Sequence, residues 1–170
     1  YVPVLEHPWF YAGLAAVATG LVIQAASYLL VFLRRAHSRD EDEVISYALG
    51  LAALSALLAV ACVGISYRGM PASASGEYYF DLLFWGGGHV LQFTHTILML
   101  VASMMLLRAS GSRLRGGPRL QAALFTLTVL PLAAVPWING FPVSSVEHIV
   151  NFTSLMRYGG MACIPLLLLV

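Results

Sequence analysis

The chain has 170 residues, 59% of them hydrophobic and only 10% charged, with a net charge of +1. Soluble domains carry about 25% charged residues. With a mean hydropathy of +0.82, the composition excludes a soluble enzyme and points to an integral membrane protein in contact with the lipid bilayer. The net charge itself says nothing about nucleic acid, and no nucleic-acid partner is expected of a chain of this class.

Five apolar runs approach or exceed the roughly 20 residues that cross hydrocarbon. They predict an all-α polytopic bundle with spans at about 8–33, 44–67, 80–107, 120–137 and 146–170, forming part of a larger bundle. His7, Pro8 and Trp9 read as an interface anchor and helix start. Arg34, Arg35, Arg39, Asp40, Glu41, Asp42 and Glu43 read as a solvated loop that also holds His37. Gly69, Pro71 and Gly76 break the chain between spans two and three. Gly111, Gly116, Gly117 and Pro118 do so before span four, and a Gly/Pro turn covers 138–145. Pro165 predicts a kink in span five. The chain starts without Met at Tyr1 and stops inside the apolar run Leu166–Val170. An internal segment of a longer polypeptide is the expectation.

The arginines orient this bundle. Arg34, Arg35 and Arg39 follow span one, and Arg108, Arg113, Arg115 and Arg119 follow span three. The loop after span two has only Arg68, and the loop after span four has none. Arginine-rich loops stay cytoplasmic, so the N-terminal end is expected on the periplasmic side of a bacterial inner membrane. His89 then lies about 13 Å into span three at 1.5 Å per residue. His148, just beyond the turn after span four, is expected at comparable depth.

Span three carries the densest chemistry. Polar and ionisable groups within a span are costly and face protein or a cofactor. His89, Gln92, Thr96, Met99 and Ser103 recur at helical spacing. His95 sits about 120° from His89 around the axis, so the two do not share one ion. Each histidine also has a bland role open to it, a hydrogen bond to a neighbouring carbonyl or hydroxyl. Gly86, Gly87 and Gly88 admit a close approach, by a flat macrocycle or by another helix. In the second polar patch, Ser144 or Ser145 is expected to cap the last helix, with Glu147 and His148 in its first turn. Arg157 needs a partner: Asp81, Glu147 or a haem propionate. Cys62 and Cys163 lie in apolar runs without metal spacing and read as core residues. No P-loop, zinc pattern or c-type haem attachment motif occurs.

The segment Phe84-Trp85-Gly86-Gly87-Gly88-His89 resembles the aromatic–aromatic–Gly–His stretch of the haem-copper oxidase superfamily, subunit I, with cbb-type oxidase subunit I-like proteins nearest in pattern. His148-Ile149-Val150-Asn151-Phe152-Thr153 is similar to that family's His-His segment. The resemblance implies helices four to eight of that subunit, His89 and His148 as metal ligands for copper or iron, and O₂ or NO reduction. It also implies haem against Gly86, Gly87 and Gly88 and partner subunits of a respiratory-chain redox complex. Among the further candidate cofactor contacts, Gln92 is read as a candidate to complete the metal site, Arg157 as a partner for a haem propionate, and His95 as an axial ligand in a b-type cytochrome. Two positions depart from the pattern: Ile149 stands where the second histidine would be, and Phe93 where many oxidases have tyrosine. A non-catalytic b-type cytochrome or membrane anchor with axial histidines is the alternative. A structural or transport bundle is the third.

Overall fold

A computed structural model describes residues 7–35, 41–112 and 116–168. The charged residues His37, Arg39, Asp40, Arg113 and Arg115, and the ends at 1–6 and 169–170, lie outside the described residues. Helices α1 (Pro8–Arg35), α2 (Glu41–Arg68) and α3 (Gly76–Ala109) are followed by α4 (Pro118–Val129). A 3₁₀ turn, Leu130–Ala134, joins α4 to the short α5 (Val135–Ile138). Then come α6 (Val146–Ser154), irregular turns over 155–163, and the short α7 (Ile164–Leu167). No strand occurs among the described residues.

The apolar stretches are helical because a helix satisfies its own backbone where no water is available. Pro8–Leu33, Glu43–Arg68, Gly76–Ala109 and Pro118–Ile138 span 26, 26, 34 and 21 residues, each apolar enough to cross a membrane. The protein is an all-α integral membrane protein. At 34 residues, α3 is about 51 Å long and outruns the roughly 30 Å hydrocarbon layer. It begins at Gly76, four residues before the expected start, where φ is +58°. A glycine takes that angle without the Cβ clash other residues suffer.

The pair α2–α3 is the centre of the fold. Small residues on α2 let the axes approach: Ala48, Ala52, Ala56, Ala59 and Cys62 are all buried. Ser55 and Thr94 share a buried 2.7 Å hydrogen bond across this contact. One core cluster joins Ala48 and Ala52 to Ile97, Leu100, Met104, Phe125 and Leu166. A second joins Ala59 and Cys62 to Val90, Phe93, Leu132, Val135, Phe152 and Leu155. Helix α1 packs on α2 through Ala25, Ala53 and Ala56. Only 6% of its apolar window is buried, so most of α1 is left uncovered by the other described helices.

The fifth span departs from the single kinked helix expected over 146–170. Regular α-helix stops at Ser154. A π-turn follows over Leu155–Gly159, and a 3₁₀ turn over Gly160–Cys163. The break lies well before Pro165. It coincides with Gly159, where an added Cβ would come within 2.8 Å of Pro131 and 3.3 Å of Phe93. The start of this segment is as expected: Ser145 caps α6, its Oγ accepting from the His148 amide at 3.1 Å. Replacing Ser145 with alanine should cost about 0.5–2 kcal/mol, read as lower thermal stability of the detergent-solubilised full-length protein.

Candidate functional site

The junction of α3 with α6 brings the two sequence motifs together. Trp85 donates its indole N–H to the Ile149 carbonyl at 3.1 Å. Phe152 lies against Gly86, where an added Cβ would be 2.9 Å from its ring. Gly86 with Phe152, and Phe93 with Gly159, pair residues at the same offset. The two segments therefore run parallel. That register sets His148 level with Leu82, about 10 Å nearer the α2–α3 loop than His89 by backbone rise. The two histidines flank one seam but are staggered by two turns, rather than level as expected. Regular α3 fixes one depth, and the late start of α6 at Val146 fixes the other.

The two imidazoles have different surroundings. The Nδ1 of His89 lies 2.6 Å from the Trp85 carbonyl. A carbonyl only accepts, so Nδ1 carries the proton and Nε2 is the nitrogen available to a ligand. The ring is half-buried, 4.9 Å from the Trp85 ring. His148 is 0% exposed, with its ring 4.9 Å from that of Phe152. The Ile138 backbone is close enough to act on this imidazole electrostatically. Yet neither Nδ1 nor Nε2 has a partner at hydrogen-bonding geometry. A buried imidazole in that state forfeits its hydration without compensation. Among the described residues no group of three or more His, Cys, Asp or Glu side chains is placed to hold a metal.

The three glycines divide their work, because successive residues point about 100° apart around a helix. Gly86 receives Phe152. At Gly87 an added Cβ would lie 2.5 Å from Val63 Cγ2 and 2.8 Å from the Ala59 carbonyl. Protein therefore makes the close approach at both positions, where a macrocycle was the alternative. Gly88 meets nothing within 4 Å. It lines an open apolar cavity of about 570 Å³ between α1, α2 and α3, walled also by Tyr11, Ala59, Val63, Gly87 and Leu91. No histidine lines that cavity, so an iron inside it would find no imidazole.

The other candidates face away from the described helices. Gln92 and His95 are exposed, and Thr96 and Ser103 are half-buried. The Thr96 and Ser103 hydroxyls donate to the Gln92 and Met99 carbonyls, both at 2.9 Å. The expected face of α3 therefore exists and is turned outward. Arg157 is exposed on the π-turn, and neither Asp81 nor Glu147 pairs with it. Sequence reasoning passed over Trp85 as a structural link, although an indole beside three glycines was its signal. Replacing Trp85 with phenylalanine keeps an aromatic ring but removes the pyrrole half of the indole with its N–H donor. It should cost about 0.5–1.5 kcal/mol, measurable as a thermal shift.

Comparison with known proteins adds relatives without a described activity. The chain is 27% identical over 113 residues to an uncharacterized protein of Rickettsia prowazekii (strain Madrid E). It is 28% identical over 108 residues to an uncharacterized protein of Aquifex aeolicus (strain VF5). Each match covers 64% of this chain, but only 21% and 27% of the respective relative. The chain thus corresponds to about a quarter or less of these relatives' length. No family model matches it, and no solved structure does.

Proposed function

We propose that the chain is part of a haem-copper oxidase-like membrane electron-transfer subunit, with His148 as its buried metal-binding imidazole and His89, two turns away along the same seam, as a separate candidate donor on α3. One observation carries this reading: His148 is fully buried with both ring nitrogens unpartnered. Such groups are rare in native proteins and call for an explanation. The donors suit copper or iron, for which neutral imidazole is a good ligand. His89 has the arrangement common among ligating histidines, one ring nitrogen held by a backbone carbonyl and the other left for the ion. A metal held there supplies one-electron redox chemistry. The remaining ligands would have to come from outside the described residues, among which no group of three or more such side chains is placed to hold a metal.

A haem fits poorly between α3 and its neighbours, since protein fills the space beside Gly86 and Gly87. It fits better on the outer flank, where α3 exposes Gln92 and His95. Polar groups at membrane depth rarely face lipid. On that flank His95 would offer an imidazole; Arg157, exposed on the π-turn, is the candidate cation for a propionate. The arginine pattern supports a periplasmic location for the loop between α2 and α3.

The second reading is a b-type cytochrome or anchor without O₂ or NO chemistry. It is favoured by Phe93, which is 3% exposed within the aliphatic and aromatic core. No phenol stands at that position. The test is purification of the full-length protein from membranes, followed by an optical spectrum, metal analysis and O₂ and NO consumption assays. Haem with copper or iron, the metal being lost in His148→Ala, is the expected result. Haem without O₂ or NO consumption selects the second reading. A wild-type protein free of haem and transition metal overturns both.

A further inference from the structure

Four buried side-chain polar atoms among the described residues have no hydrogen-bond partner: Ser66 Oγ, Asn139 Oδ1, and Nδ1 and Nε2 of His148. They lie on two stretches that pack against each other. Ser66 stands one turn beyond Cys62, and both are buried on the same face of α2. Asn139 reaches that face, its Nδ2 donating to Cys62 Sγ at 3.4 Å. Reversing the amide would still leave one of its two ends without a partner. Asn139 follows Ile138, whose backbone acts on His148. Val143 closes the contact from the same segment, pressed against Gly69. The orphaned atoms therefore belong to one junction, between the end of α2 and residues 138–148.

We propose that this junction is a site for ordered water, a feature distinct from any metal at His148. Its donor and acceptor inventory selects the occupant. The Asn139 carbonyl oxygen only accepts, the Ser66 hydroxyl does both, and a neutral imidazole has one donor and one acceptor. A molecule that both donates and accepts satisfies all three. An anion would be repelled by the amide oxygen and would find no cation among them. A cation would find no carboxylate, since Glu147 is exposed to the outside. Buried waters make about three hydrogen bonds each, so one or two meet the need. Cys62 lies six residues before the end of α2, about 9 Å by helical rise, so the site is shallow enough to exchange with bulk water. The water ties α2 to α6, and it gives His148 a hydrogen-bond partner whether or not its other nitrogen holds a metal.

The experiment is radiolytic footprinting of the full-length protein in nanodiscs, in ¹⁸O-labelled water, read by mass spectrometry. Hydroxyl radicals form where water resides and modify adjacent side chains. Cys62 is buried and Cys163 is not fully so. Both thiols lie in apolar membrane stretches away from bulk water, so fast labelling of Cys62 that depends on Ser66 reports water held at this junction. The expected result is faster ¹⁸O uptake at Cys62 than at Cys163, reduced several-fold in Ser66→Val. Uptake at Cys62 no faster than at Cys163 overturns the proposal. So does a high-resolution structure of the full-length protein with no water in reach of Ser66, Asn139 or His148, a measurement that needs no variant. Neither outcome depends on whether the purified protein carries haem or metal.

Discussion

Gly87→Ala should destabilise the full-length protein by about 1–3 kcal/mol, the usual cost of forcing a methyl into a packed interface. Its new Cβ would lie 2.8 Å from the Ala59 carbonyl and 2.5 Å from Val63 Cγ2. A side chain turns aside, but a backbone oxygen within a helix does not. Relief therefore requires α3 to move away from α2, at the contact that organises the bundle. Gly86→Ala should cost less, because its obstacle at 2.9 Å is the Phe152 ring, and a ring pivots. Gly88→Ala meets nothing within 4 Å. It should be neutral or stabilising by up to about 1 kcal/mol, the difference in helix propensity. Thermal unfolding of the three variants in one detergent checks the order. Equal shifts would mean that the α2–α3 contact is looser than a 2.8 Å approach to the Ala59 carbonyl requires. A larger loss at Gly88 would place a ligand or a further helix in the open cavity.

His148→Leu should abolish metal binding while leaving the metal-free protein as stable as its metal-free parent, or more stable by about 1–3 kcal/mol. The physical reason is an asymmetry. Removing a buried polar group that has a partner strands that partner, whereas replacing an unpartnered one with apolar volume removes a desolvation cost. His148 belongs to the second class by its contacts within the chain. Leucine approximates its volume beside Phe152 and Ile138. The two halves of the prediction are read separately, by metal analysis and by the melting temperature of chelator-treated protein. A marked loss of stability in the metal-free variant would show that the imidazole serves the fold. The bound water inferred beside it narrows the gain, since leucine would strand that water's remaining hydrogen bonds.

Much of the architecture was legible from composition and run length. Where backbone polar groups have no water, an apolar stretch of about 20 residues has only the helix open to it. Hence Pro8–Leu33, Glu43–Arg68 and Gly76–Ala109 could be located without knowledge of their neighbours. Local chemistry also announced the Ser145 cap and the shared polar face of α3, since capping and helical spacing involve only residues close in the chain; that this face turns outward, and not into a buried site, was not announced. The break at Leu155–Gly159 was not legible. Its counterparts, Pro131 and Phe93, are distant in sequence, and nothing within residues 155–159 names them.

The histidines and glycines mark the same boundary. The residues themselves told us that polar groups and a glycine run occupy a membrane helix, and that such groups need a reason to be there. They did not tell which reason. Three consecutive glycines are identical as letters, yet rotation about the helix axis gives one to Phe152, one to Ala59 and one to open space. His89 and His148 carry the same side chain. Helix register sets one against its own backbone carbonyl and buries the other near the Ile138 backbone, with no partner at hydrogen-bonding geometry. Hydrophobicity and spacing act along the chain and determined the helices. What each side chain meets depends on how those helices are rotated and staggered against one another, and only the tertiary structure decided that.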